Sequence, residues 1–465
     1  MARLIRAVSM LVLLALPVGC SEPLEPPPLE MRIVVTPDHG TTATDFAYSL
    51  PDAEGAGALV KVRWDWENDG EWDTPWEAYR SREHRYAVNG TSTVVAELRM
   101  EGGPTGRAAT SILVTDWWDG FGTMVDGRVN VLEPWTSGSG EFLVIGGRFA
   151  LNGVPNQMLA TWDGESLQPI ASGDGEVFEL HAHGEDLYVG GLFAGIGGAA
   201  AMNVAVYSGG VFSQVGDGLD AKVSALAYFN QALYAGGSFV PSAEVQTRGF
   251  ARLEGGIWRG VVDWIDFVLD GTVYDMAVHP DYDMLVVTGE FSVGTDHIAH
   301  YSGAAVWGTF STGDWGPLVD IVDDATYCAG FWNGAIVLGG DFATIEGEVV
   351  NGICYATDEF RALAGGLQAG ATVRDIVEFR GQLVAVGDIE APSAARSRGV
   401  AAWDGQSWRP VGSGIGTRVG GAGPLCAAVY RNDLYVGGEF ETAGGLPSRS
   451  MARWIGGAPT ARSGR

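Results

Sequence analysis

Basic residues are scarce in this chain. Its 465 residues carry 28 Lys and Arg against 57 Asp and Glu, a formal net charge of −29. That balance argues against nucleic acid as a partner, because phosphate binding needs Lys and Arg. It argues equally against electrostatic attachment to anionic lipid. Cysteine is scarce too. Cys20, Cys328, Cys354 and Cys426 are the whole set, and with Cys20 set aside the odd remainder does not suit a disulfide framework. Long apolar runs are absent but for Ala7–Val18, which is too short to cross a bilayer comfortably. No Gly-x-Ser-x-Gly elbow is present, so the chain lacks that linear sign of a serine nucleophile.

What the chain has in quantity is glycine, 69 residues, and the glycines recur in a fixed phrase. An apolar strand ends in Gly-x-Phe, a Gly-rich loop follows, and then comes Ala-x-Trp-x-Gly. Copies of the first part start at Gly147, Gly191, Gly237, Gly289, Gly340, Gly387 and Gly438. The spacing, about fifty residues, is that of propeller blades or solenoid turns. Each copy divides into four short segments. In the third copy they begin at Val223, Leu233, Gly249 and Ile257. Short runs rich in Val, Tyr, Phe and Trp between Gly and Asn read as strands, and four per repeat make one blade. The last copy stops after its third strand, at Met451-Ala-Arg-Trp-Ile-Gly456, while Trp118-Asp-Gly-Phe-Gly-Thr-Met124 precedes the first. Trp118-Asp-Gly matches Trp162-Asp-Gly and Trp403-Asp-Gly, so the N-terminal segment is expected to supply the missing fourth strand. Such closure removes exposed strand edges and selects a ring over a solenoid.

Apolar-Gly-Gly, an aromatic on the third strand and Trp on the fourth resemble the kelch pattern. Leu434-Tyr-Val-Gly-Gly-Glu-Phe440 and Ala402-Trp-Asp-Gly-Gln-Ser-Trp408 resemble secreted bacterial propellers and the extracellular repeats of fungal cortical polarity-marker proteins. The fifth copy departs at Cys354-Tyr-Ala-Thr, and the sixth has Ile389 for Phe. Upstream, Val62-Arg-Trp-Asp-Trp-Glu-Asn-Asp-Gly-Glu-Trp-Asp-Thr74, then His84-Arg-Tyr86 and the strand Ser92–Met100 resemble the PKD domain, an immunoglobulin-like β-sandwich that acts as a spacer or adhesion module. Arg3 and Arg6 before the apolar run, and Pro17-Val-Gly-Cys20 at its end, resemble a bacterial lipoprotein signal. By that resemblance Cys20 is lipidated and becomes the first mature residue, although Pro17 stands where Leu is usual. The expected fold class is all-β, a small β-sandwich followed by a seven-bladed β-propeller of four-stranded blades. The expected domains are a signal peptide (1–19), a Pro-rich tether (20–30), a PKD-like sandwich (31–115), the propeller (116–456) and a tail (457–465).

Candidate sites are fewer than the acidity suggests. Asp65, Glu67, Asp69 and Asp73 alternate as the oxygen ligands of a Ca²⁺ loop do. Trp76 occupies the twelfth position, so the loop is no EF-hand, and an ordinary turn with carboxylates capping backbone N–H groups accounts for the same residues. Ca²⁺ is the sole cofactor the sequence raises. His181-Ala-His183 and His279 resemble metal ligands, but His183 and His279 align with Trp135, Phe229, Trp332, Phe379 and Tyr430 and read as flat packing residues. Cys328 and Cys426 align with Ala225. Cys354 lies two strands from Cys328, about 9.5 Å away, beyond the limit of about 7 Å for a disulfide, so three buried free thiols are expected. Asp217, Asp220, Asp266, Asp270, Asp320, Asp323 and Asp324 fall at or near fourth-to-first-strand loops, gather at one mouth of a kelch-like ring, and form the candidate binding face. Variable loops on a rigid scaffold carry binding.

These features predict an exported, lipid-anchored surface protein, non-enzymatic and monomeric, in the outer membrane or at the cell surface, with periplasmic or plainly secreted protein as the alternative. Its propeller would recognise a polysaccharide or an envelope protein. A carbohydrate-active enzyme on the same ring, or a structural protein without a specific ligand, are the competing readings. If Cys20 carries the anchor, the wild-type protein partitions with membranes and its N-terminal peptide carries acyl mass. Cys20→Ser is expected to abolish both, and membrane partition unchanged in that variant contradicts the anchor.

Overall fold

Apolar segments cut by Gly, Asn and Asp produce strands throughout, and among the described residues there is no α-helix. The computed structural model describes residues 31–456 except 37–38, 42–44, 52–59, 80, 87–89, 101–104, 116, 242–247, 262–267, 295–304, 310–314, 318–321, 357–358, 365 and 392–397. Cys20, Asp266 and Asp320, with the leader, the tether and the 457–465 tail, lie outside the described residues. The chain divides into two compact units between Val114 and Thr115.

In the first unit a three-stranded sheet (Val34–Thr36, Phe46–Ser49, Arg82–His84) faces a five-stranded one. The latter contains the long hairpin Gly90–Met100 and Thr105–Thr115, with Val60–Asp65 beside it. Alternate residues of both sheets point inward, and Phe46, Tyr48, Val62, Trp64, Val94 and Ile112 fill one core. Trp64 and Trp66 share the inner face as i and i+2 residues, with ring planes 4° apart and centroids 5.1 Å apart. This unit is a β-sandwich.

Among the described residues, the second unit holds six four-stranded antiparallel sheets, a seventh of six strands in which Ile415–Thr417 and Leu446–Pro447 also pair with Asp433–Ala443, and two two-stranded ribbons. The innermost strands of the seven sheets are Val125–Ser137, Glu176–His183, Val223–Phe229, Val268–Val278, Thr326–Trp332, Thr372–Phe379 and Gly423–Tyr430. Each packs against the next, and the seventh packs against the first. The succession of sheets therefore returns on itself, as propeller blades do, and the sheets are numbered one to seven below.

The Gly-x-Phe phrase has a steric cause. Every innermost strand carries a β-bulge at the same place, between Val129 and Val131, Val177 and Glu179, Val223 and Ala225, Val273 and Asp275, Thr326 and Cys328, Val373 and Asp375, and Pro424 and Cys426. The neighbouring main chain then lies across the end of the second strand. A Cβ on Gly147 would sit 2.1 Å from the Arg128 carbonyl oxygen, and one on Gly237 would sit 2.0 Å from that of Lys222. The glycines of the other five sheets meet the same obstacle. The Phe two residues on is buried in each sheet, and Ile389 replaces it in the sixth without loss of burial.

The seventh sheet is completed by Trp118–Gly120, which pairs with Met451–Trp454. The register differs from the expected motif match. Trp118 lies opposite Trp454, as Trp408 lies opposite Trp403, so it occupies the fourth-strand position rather than the end of the third. Its Nε1 donates to the Val411 carbonyl of the sixth sheet at 3.1 Å. Trp258 and Trp408 reach back in the same way to Val215 and Leu363. The Asp explains the difference. Asp404 caps its own turn through Gln406 and Ser407, whereas Asp119 faces Arg453 across the strand pair.

Trp118 is 2% exposed, so Trp118→Ala removes a large buried ring and a hydrogen bond. The expected cost is about 3–5 kcal/mol, read as a lower denaturant midpoint for the second unit. An unchanged midpoint contradicts the closing role of this strand.

Candidate functional site

The innermost strands begin on one face of the ring, here the upper face, where the fourth-to-first loops and the loops after Gly-x-Phe also lie. Of the expected acids among the described residues, Asp217, Asp220, Asp323 and Asp324 occupy these loops and Asp270 lies near the start of the strand Val268–Val278, and each has at least one engaged oxygen. Asp217 accepts from the Trp258 amide at 3.1 Å, Asp220 from Val240 at 2.8 Å, and Asp324 from Ala325 at 2.8 Å. Asp323 accepts from Ala343 and Thr344. Asp270 faces Arg248 at 3.8 Å. Asp217, Asp220 and Asp323 thereby tie their loops to main chain 20 to 41 residues away in sequence. Between the seventh and first sheets, Asp126 binds Arg449 at 2.7 Å and Arg418 at 3.4 Å.

A second group of acids lies on the innermost strands themselves. Glu179, Asp275 and Asp375 follow the bulge directly in sheets two, four and six, where the other sheets have Val131, Ala225, Cys328 and Cys426. Glu133 lies two residues beyond the same position in sheet one. Asp275 accepts from the Met276 amide and, across the blade boundary, from the Ala329 amide at 2.9 Å. Asp375 accepts from Ile376 and from Ala427 at 2.7 Å in sheet seven. Glu133 accepts from Ala182 in sheet two at 3.0 Å. Each therefore joins its blade to the next by a hydrogen bond to a main-chain N–H, the kind of charge-assisted contact that is stronger than a neutral one.

Their ionisation is displaced. Burial raises Glu133 to about 7 against the Ala182 amide, and raises Asp375 to about 7 against the Ala427 amide. Burial also raises Asp275. Glu179 stands well above the usual carboxylate range through burial and then the charges of Asp275, Glu133 and Asp375. Each keeps a minor part of its surface accessible; the protein packed around it outweighs that access. The sequence signal was an acid inside an apolar strand, in the column that aligned the cysteines with Ala225.

Other candidate residues resolve into packing. His183 stacks on Tyr228 with centroids 3.7 Å apart. Buried His279 accepts from the Asp281 and Tyr282 amides. His181 accepts from the Tyr228 amide, and burial followed by the charge of His183 pushes it down to about 4. Cys328, Cys354 and Cys426 are free and buried. In the first unit, Asp65 accepts from Asp69 and Gly70, Asp73 from Trp66, and Asp69 from Glu71. Burial and then Asp73, Asp69 and Asp65 raise Glu67. Among the described residues, no group of three or more His, Cys, Asp or Glu is placed to hold a metal ion.

No protein-family model matches the chain, and no curated protein matches it. Among solved structures, the extracellular domain of BT4673 from B. thetaiotaomicron is 12% identical, with a TM-score of 0.47, over 73% of this chain and 39% of that one. The computationally designed Ika8 protein is 13% identical, with a TM-score of 0.40, over 72% of this chain and 97% of that one. The PKD domain of an M14-like peptidase from Thermoplasmatales archaeon SCGC AB-540-F20 is 18% identical, with a TM-score of 0.15, over 18% of this chain and 94% of that one. Extracellular domains are thus among the structural neighbours. The chain spans 39% of the length of the BT4673 domain it matches, and likenesses of this size carry no function across.

The raised carboxylates set a pH dependence. Glu133 and Asp375 hold protons in the folded chain up to about pH 7, whereas in the unfolded chain they release them near pH 4. The folded state binds more protons across that window, so stability present at the acid end is lost as pH rises through it. The denaturant midpoint is expected to be higher near pH 5 than near pH 8, with a smaller fall in Asp375→Asn. A midpoint that rises over this interval contradicts the assignment.

Proposed function

We propose that this is an exported surface protein, anchored through a lipid on Cys20, whose second unit is a kelch-type seven-bladed propeller that recognises a polysaccharide or an envelope protein. The first unit is read as a PKD-like spacer. One observation carries the proposal. The described upper-face loops are held by carboxylates that accept from main-chain N–H groups of neighbouring segments, and loops fixed in advance lower the cost of association. The export signal and the spacer-like sandwich fit the same role.

The displaced carboxylates favour a second reading, an enzyme acting on glycosides, since paired acids of different ionisation do that chemistry. Against it, Asp275 and Asp375 each spend both oxygens on main-chain N–H groups, which gives them a task in joining blades.

A glycan-array screen of the mature chain, run with Ca²⁺ and with chelator, separates these readings. Specific retention of a glycan without cleavage is expected. Release of shortened product establishes the enzyme instead. Retention lost in chelator returns Ca²⁺ to the Asp65 loop or the acidic mouth.

A further inference from the structure

The lower face, where the first strand of each sheet turns into the second, carries a feature confined to the boundary of sheets one and two. Each innermost strand ends there on a flat side chain, and two of these reach the next sheet with a polar atom. Trp332 Nε1 donates to the Gly381 carbonyl in sheet six at 3.4 Å, and the Tyr430 hydroxyl donates to the Glu141 carbonyl in sheet one at 2.7 Å. Trp135 is the equivalent residue of sheet one. It is 7% exposed, and among the described residues its Nε1, itself buried, has no hydrogen-bond partner. A buried indole N–H without an acceptor is costly and calls for an explanation.

Trp135 lines a cleft of about 380 Å³ between the two sheets, within the range of about 300–1,000 Å³ for small-molecule sites. Phe142 and Tyr207 form its other aromatic walls, with centroids 6.3 and 6.0 Å from the Trp135 ring. Ser137 and Ser139, whose hydroxyls lie 2.8 Å apart, and Glu185 supply its polar rim. The rim is kept low by glycine. A Cβ on Gly209 or Gly210 would meet nothing within 4 Å, and one on Gly138 would first meet the Glu185 carboxylate at 3.8 Å.

We propose that this cleft is a subsite for one ring of a neutral saccharide. Aromatic walls take the flat C–H face of a pyranose. The Glu185 carboxylate accepts from a ring hydroxyl, and the serine hydroxyls donate or accept. None of the lining residues is Lys or Arg, so a uronic acid or sulfated sugar would find Glu185 and no counter-charge. The proposal rests on the recognition reading above, narrows it to neutral glycans, and moves the contact away from the acidic mouth.

The test is titration calorimetry of the mature chain with neutral oligosaccharides (glucan, mannan and xylan series) and with oligogalacturonate. Trp135→Ala would disturb the core, so three milder variants are used. Gly138→Leu fills the cleft at a position without a positive φ. Glu185→Ala removes an exposed acceptor. Met124→Trp obstructs a cleft on the upper face lined by Met124, Asp126 and Asn152. Binding of a neutral oligosaccharide, weakened about tenfold or more by Gly138→Leu and Glu185→Ala, a loss equal to about one hydrogen bond, and unchanged by Met124→Trp, is the expected result. Binding lost in Met124→Trp and kept in Gly138→Leu overturns the subsite while leaving the recognition reading intact. Binding of oligogalacturonate alone, or of no sugar in the panel, overturns it as well.

Discussion

The ring depends on one strand pairing. Trp118–Gly120 is donated from the start of the second unit to a sheet whose other strands all come from its end. Without it, the backbone of Met451–Trp454 would present an open edge, the template for unwanted pairing that closed β-structures avoid. The pairing is reinforced through the side chain, because Trp118 repeats the backward hydrogen bond that Trp258 and Trp408 make elsewhere. The donated strand thus contributes the same inter-blade contact as a native fourth strand.

Within the ring, the bulge of each innermost strand sets what its neighbours can be. It excludes a side chain at the Gly of Gly-x-Phe. It also turns the next residue toward the blade boundary, where a Cβ on Gly339 would meet Cys328 Sγ and one on Gly437 would meet Cys426 Sγ. In three sheets that residue is an acid. The acids lie near enough to raise one another's ionisation, and burial together with Asp375 and Asp275 also raises the Cys328 thiol. Like charges among buried groups destabilise, while the amide contacts they make across blades stabilise. Protonation near neutrality relieves the first at the expense of the charge assistance in the second.

Much of this was legible in the sequence, and for physical reasons. The Gly-x-Phe column exists because a carbonyl oxygen occupies the space of a Cβ, so no other residue fits and the repeat survives divergence elsewhere. The closing strand could be found because its absence at one end matched its presence at the other, although Trp118 takes the place of Trp408 rather than that of Trp403, with which its Trp-Asp-Gly had been matched. Tryptophan serves at both positions, and only pairing with Trp454 tells them apart. The histidines read correctly as packing because their column is aromatic. The post-bulge acids were not singled out, since that column mixes Val, Ala and Cys with Glu and Asp and has no residue-type signature. The Trp135 cleft could not be read at all, because its lining combines two sheets with turn residues such as Ser137, Gly138, Glu185 and Gly209 that no column of the repeat marks.

The measurement that bears most directly on this account is native-state hydrogen exchange at the amides of Met451–Trp454 and Asp119–Gly120. If the donated strand closes the ring, these amides exchange only through global opening, with the same protection as the innermost strands. Exchange by local fraying, with protection far below that of Val125–Ser137, would show that the ring stands without its clasp and would contradict the account.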